Sequence, residues 1–247
     1  MTAAADHPSS LALRRFELFQ DLSTGKLDAL ARRCQWRSVG AGQPILLRQQ
    51  RHADVFLIVD GRVRVTIYGA QGRQVTFRDV LPGEIVGDLS ALDDGPRSAD
   101  VVTMVGSVIA VLDQNAFLAL LVEEPMVARR MMQRLAGLVR QLSERVIGLS
   151  TFGVENRLHA ELLRLAYASA ADGAKSPQAR IPAPRHADLA SQISTTREQV
   201  TRELNALTRS GLLRKDGASL VVTDLPRLAQ MVADIRGEAV PEQGRSS

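Results

Sequence analysis

Two short stretches carry residue types that could do chemistry. In VGDLSALDDGPRSADV, from Val86 to Val101, a glycine and a carboxylate (Gly87, Asp88) shortly precede the run Pro96, Arg97, Ser98. The two charges either neutralise each other on a surface turn or together hold a molecule that has both a hydroxyl and a negative charge. A carboxylate accepts from a hydroxyl, and a guanidinium donates to an anion through charge-assisted bonds. The second stretch is TTREQVTREL, from Thr195 to Leu204. At helical spacing Val200, Leu204 and Leu207 share one face, which leaves Arg197, Glu198, Thr201 and Arg202 on the other. Arginine can donate twice to guanine O6 and N7, and a carboxylate can accept from cytosine N4. Thr195 and Glu198 also fit the spacing of a capping box, in which Glu198 closes its own helix start instead of facing a ligand.

The elements that must position these residues can be read from the pattern of the chain. A helical flank around Lys26–Cys34 comes first. Short runs rich in Val, Ile and Phe follow, with turn signals at Asp60–Gly61, Gly69, Gly72 and Pro82–Gly83, and apolar and polar residues alternate from Arg62 to Ile67. Such runs between such turns read as antiparallel strands of a sandwich or jelly roll. The pattern changes at Pro125. Ala128, Met131, Leu135, Leu138, Leu142 and Leu149 recur at steps of three, four, three, four and seven, an a/d seam for self-association that Arg145 interrupts. A further helix spans Val154 to Ala168, and the stretch from Ala168 to Arg185 reads as a loop. Next come a short helix over Asp188–Ile193, a turn at Ser194, a helix over Thr195–Leu207, and a hairpin turning at Asp216–Gly217. That order is a winged helix-turn-helix. The tail after Ile235 reads as frayed.

Composition narrows the class. The 247 residues allow one large domain or two ordinary ones, and 45% apolar content fits a packed protein. Residues 1–125 hold 13 Lys+Arg against 15 Asp+Glu, whereas residues 126–247 hold 18 against 12. The basic back half points to a polyanion, and 4% aromatic content favours duplex nucleic acid over a base-stacking platform for single strands. A lone Cys34 excludes a disulfide framework, a four-cysteine iron–sulfur site and a cysteine-based zinc site, and it fits a reducing cytoplasm. No basic-apolar leader opens the sequence. The uncharged run from Val101 to Leu112 is too short for a bilayer, so no membrane is expected. No P-loop, nucleophile elbow or two-histidine zinc helix occurs. His7, His52, His159 and His186 are scattered, so neither an enzyme nor a metal site is expected.

Together the two stretches resemble the CRP/FNR superfamily of bacterial transcription regulators, from about Phe16 to Val232 and in the same order of parts. The resemblance implies an α+β chain in three parts. Residues 1–125 would form a cyclic-nucleotide-binding jelly roll, 126–152 a dimerisation helix and hinge, and 153–247 a winged helix-turn-helix that binds DNA. Gly87, Asp88, Leu89, Arg97 and Ser98 are similar to the family's phosphate-binding cassette. There the acid accepts from a ribose 2′-hydroxyl, and the arginine and serine hold the phosphate. The effector would be cyclic AMP, cyclic GMP or a related anion, with no metal. Asp88 is one methylene shorter than the family's glutamate. Leu142 and Ser143 stand where the family's purine contacts, an adjacent threonine and serine, would be, and leucine cannot hydrogen-bond a purine. Ser194 replaces a glycine often found in the helix turn. By the same resemblance Thr196, Arg197, Glu198, Thr201 and Arg202 belong to the recognition helix and read a TGTGA half-site, while Arg214 and Lys215 in the wing meet phosphates. The implied partners are double-stranded DNA, a second copy of the chain and RNA polymerase. The rival reading is a nucleotide-sensing module without DNA binding, or a member that needs no ligand.

Overall fold

The computed structural model describes residues 10–68, 74–169 and 176–236. Gly69, Gly72 and the tail after Arg236 lie outside the described residues. Helix α1 (Ser10–Leu13), a 3-10 turn (Glu17–Phe19) and α2 (Thr24–Arg33) lead into strands β1 (Gln35–Val39), β2 (Pro44–Leu46), β3 (Val55–Asp60), β4 (Val63–Tyr68), β5 (Gln74–Val80) and β6 (Ile85–Val86). Helix α3 (Asp88–Asp93) interrupts the strands before β7 (Asp100–Thr103) and β8 (Ser107–Leu112). Helices α4 (Gln114–Glu123), α5 (Pro125–Thr151) and α6 (Val154–Ser169) follow. The chain continues through β9 (Ala179–Pro182), α7 (His186–Gln192), α8 (Arg197–Arg209), β10 (Leu213–Asp216), β11 (Ser219–Val222) and α9 (Leu225–Arg236). Two compact units emerge, Met1–Arg140 and Gln141–Ser247, divided within α5.

In the first unit two antiparallel four-stranded sheets, ordered β1-β8-β3-β6 and β2-β7-β4-β5, make the expected jelly roll. The run VFLIV in β3 is continuous because both of its faces are covered. Phe56 and Ile58 pack with Val63, Val101, Ile109 and Val111, whereas Val55 and Leu57 pack with Leu27, Leu30, Phe117 and Met131 of the helices. A strand buried on both sides reads as an unbroken apolar run, without alternation. Gly61 (φ +91°) and Gly83 (φ +94°) sit at the turns where they were expected. In β4 burial does not follow the alternation of the sequence: Val63 and Arg64 are both buried, the arginine bonded to Asp79, and Val65 is half-buried. A register shift between Val65 and Thr66 then sets Thr66 opposite Thr76, and both are buried.

The 27-residue α5 is longer than any other described helix. Its apolar residues do two jobs, which corrects the seam read from sequence. Val127 and Met131 are buried in the first unit's core. The exposed row runs instead through Met132, Val139, Leu142, Val146 and Leu149, with half-buried Leu135 between the first two. Its steps of three and four have no polar interruption, and Arg145 stands beside it.

In the second unit α6, α7, α8 and α9 share a core with a three-stranded sheet ordered β10-β11-β9. Strand β9 lies within the stretch read as a loop, and pairs Ile181 with Leu220. Only four residues long and set among prolines and polar residues, it offers too little pattern to be seen in sequence. Among the described residues no helix is long and apolar enough to cross a membrane.

Candidate effector site and nucleic-acid interface

The cassette stretch folds around its arginine. Gly87 caps α3 in the left-handed region (φ +84°), and Asp88 opens the helix. Arg97 is only 2% exposed, and its flanking Pro96 and Ser98 are exposed. Backbone bonds hold the arginine in place: Gln49 N donates to Arg97 O at 2.9 Å, and Arg97 N donates to Gln50 O at 3.0 Å. Its side chain spends both terminal nitrogens on carbonyls, Nη1 to Gly87 O at 2.9 Å and Nη2 to Asp54 O at 2.8 Å. Nε is buried and has no partner among the described residues. The guanidinium lies 5.8 Å from the centre of the Phe56 ring. Burial lowers the Arg97 pKa, opposed by the charges of Asp54 and Asp88.

Gly87 answers to this arginine. A Cβ there would come within 2.7 Å of Arg97 Nη1 and 2.8 Å of Asp54 O, besides the strain of its φ.

The alternative of an Arg97–Asp88 ion pair is not what forms. Asp88 is 5% exposed, and its Oδ2 accepts from Arg134 Nε at 3.1 Å; Arg134 Nη2 also donates to Ile85 O at 2.8 Å. Arg134 was not among the site residues read from the sequence. The signal that marks it is the stripe Val127, Met131, Arg134: a cation on the face of α5 that otherwise enters the core. The site therefore gathers Gly87, Asp88, Arg97 and Arg134. Leu89 and Ser98 flank it as exposed residues, and Leu142 and Ser143 belong to the second unit. Arg134 takes the buried carboxylate, and Arg97 bonds to carbonyls. A buried cation hydrogen-bonded to carbonyl dipoles is costly unless an anion joins it, so these residues fit a small anion bearing a hydroxyl.

In the second unit α7 and α8 flank a turn at Ser194, which takes φ +56°. The helix start differs from the one read in sequence. Thr196 is the cap, its side chain accepting from Gln199 N at 3.3 Å, and α8 begins at Arg197. Thr195 is buried and hydrogen-bonds the Gln199 side chain instead. Glu198 is thereby released from the capping role and is exposed. Val200, Leu204 and Leu207 face the core as expected, while Thr196, Arg197 and Arg202 are exposed.

Thr201 is half-buried. Its hydroxyl donates to Arg197 O at 2.9 Å and lies 2.7 Å from His186 Nδ1. Arg214 and Lys215 are exposed on β10, next to the hairpin turn at Gly217 (φ +57°). Among the described residues no group of three His, Cys, Asp or Glu could hold a metal.

Residues 36–124 match the cyclic nucleotide-binding domain, and residues 156–231 match the Crp-like helix-turn-helix domain. Over 87% of its length the chain is 29% identical to the cyclic AMP receptor protein of Thermus thermophilus, covering 95% of that protein. It is 23% identical to the CRP-like cAMP-activated global transcriptional regulator of Mycobacterium tuberculosis, over 88% of this chain and 97% of that one. Among solved structures, the c-di-GMP-responsive global regulator CLP of Xanthomonas campestris superposes with a TM-score of 0.70. The match covers 81% of this chain and 99% of that chain at 16% identity, a likeness of fold.

Proposed function

The chain belongs to the CRP/FNR family of transcription regulators, which are not enzymes, and from that premise we propose that it is a homodimer whose grip on a palindromic operator is set by a cyclic nucleotide. Its helix-turn-helix domain binds DNA. The observation that carries the effector reading is Arg97, buried with an unpartnered Nε among the described residues and its two terminal nitrogens bonded to carbonyls. The cyclic phosphate supplies the missing anion. Asp88, with Arg134 behind it, accepts from the 2′-hydroxyl, and Gly87, Leu89 and Ser98 border the ligand. Cyclic AMP is the first effector to test, because the names of two relatives carry it. Leu142 and Ser143 offer a purine one polar side chain in place of two. That weakens discrimination between adenine and guanine rings.

On the DNA side, Arg197 and Arg202 read guanines, Glu198 reads a cytosine, Thr196 and Thr201 support them, and Arg214 and Lys215 meet phosphates. A two-fold dimer, joined through the exposed row of α5, presents two such helices about one DNA turn (~34 Å) apart, which demands a palindrome. RNA polymerase is the further partner this reading implies.

The test of the effector site is calorimetry of the full chain with cyclic AMP, cyclic GMP and cyclic di-GMP, with Arg97→Ala beside the wild type. Hydrogen bonds to a charged group contribute ~1.5–3 kcal/mol, so the variant should lose at least about tenfold in affinity. Equal affinity in the two proteins would remove Arg97 from the site. Heat from none of the three nucleotides would favour a regulator that needs no such ligand.

A further inference from the structure

The arginine that stands beside the apolar row of α5 has a destination. Arg145 is half-buried in the second unit, and its Nη2 donates to the carbonyl of Gln192, the last residue of α7, at 3.0 Å. The next carbonyl, that of Ile193, accepts from Arg157 Nε at 3.0 Å. Arg157 Nη1 also donates to Phe152 O at 2.7 Å, just beyond the end of α5.

Two guanidiniums, one from the last turns of α5 and one from the first turns of α6, thus close the C-terminus of α7. The final carbonyls of a helix lack partners of their own, and the helix dipole favours cations there. Burial lowers the Arg145 pKa, opposed by Glu161, so its position is not that of a freely solvated cation. Immediately after this closure comes Ser194 at φ +56°, a backbone state that a serine holds only where its surroundings enforce it. The chain then enters α8, the recognition helix.

We propose that Arg145 is a positioning residue, which pins the turn from which the recognition helix departs to the C-terminal end of the dimer helix and so fixes the separation of the two half-sites read on DNA. The proposal rests on the dimeric, palindrome-binding reading above. Arg145 lies outside the exposed row of α5 and outside the exposed face of α8, so it serves neither subunit pairing nor base contact. A purely local role would instead loosen the helix-turn-helix and blur the half-site sequence itself.

The experiment is binding-site selection on the full-length wild type, Arg145→Met and Arg145→Lys, with light scattering and thermal unfolding of each. The wild type should enrich paired half-sites at one separation. Arg145→Met should remain a dimer and enrich the same half-site sequence at several separations. On a duplex with the wild-type separation it should lose about tenfold in affinity. Arg145→Lys, which keeps the charge but not the planar fork, should fall between the two, and it carries the test if the Met variant fails to fold. Wild-type spacing and affinity in the variants would overturn the proposal, as would loss of the half-site sequence together with the spacing. A wild type that enriches no paired half-sites would overturn the dimeric reading, and this inference with it.

Discussion

His159 lies on α6 with its Nδ1 buried and without a partner among the described residues. Burial pushes its pKa below the ordinary value, against the pull of Glu155 and Glu203. The unfolded chain therefore takes up this proton more readily than the folded one. Stability is unaffected above the unfolded pKa of about 6.5 and falls as the pH drops below it. The unfolding temperature of the full chain should decline between about pH 7 and pH 5, and less steeply in His159→Gln. Equal slopes in calorimetry would contradict the burial argument. At this scale the sequence was informative wherever a motif names its residues. Gly87, Asp88 and Arg97 were legible as a group, and the fold brings them together, although the glycine makes room for Arg97 and Asp54. Arg134 was not legible, because a cation on the inward face of a helix looks like any surface arginine until the face is known. The Thr195 cap was misassigned for a similar reason. Two adjacent threonines both suit the spacing, and only burial of Thr195 selects Thr196.

Among the elements, the strands of the sandwich, the hairpin and helices α2, α5, α6, α7 and α8 followed from periodicity and turns, whereas α3, α4 and α9 were not read from the sequence. Apolar runs between glycine turns gave the sandwich, and the loss of that punctuation at Pro125 gave the long helix. Two elements required tertiary information. Strand β9 gains its pairing from β11 and has little pattern of its own. On α5, two interleaved heptad rows are both apolar, so spacing alone could not tell which enters the core and which faces outward. Met131 at 2% exposed and Val139 at 63% settle it. The two rows predict opposite failures. Val139→Asp sets carboxylates into the proposed subunit seam and should give folded monomers by light scattering. Met131→Asp buries an unpaired charge in the first unit's core and should unfold that unit, with loss of soluble protein. A Val139→Asp protein that remains dimeric would show that the exposed row is not the seam.

For the whole molecule, two units with separate cores are joined through one helix that starts in the first and ends in the second. Charge does not follow that division: the basic excess of residues 126–247 includes Arg129, Arg130, Arg134 and Arg140, which lie on α5 before the boundary between the units. Fold and family were readable because both motifs occur in one chain in a fixed order. Effector identity was not, since Leu142 departs from the pattern that would have named a purine. Discrimination between DNA sequences is therefore the most direct measure of the account. The measurement is fluorescence anisotropy of the full chain on a duplex bearing TGTGA and TCACA half-sites six base pairs apart, and on a scrambled duplex, with and without cyclic AMP, near 0.15 M salt. In the effector-bound state the palindrome should be bound at least ~10³-fold more tightly than the scrambled duplex. Equal affinity for the two duplexes, whether or not the nucleotide is present, would contradict sequence-specific binding.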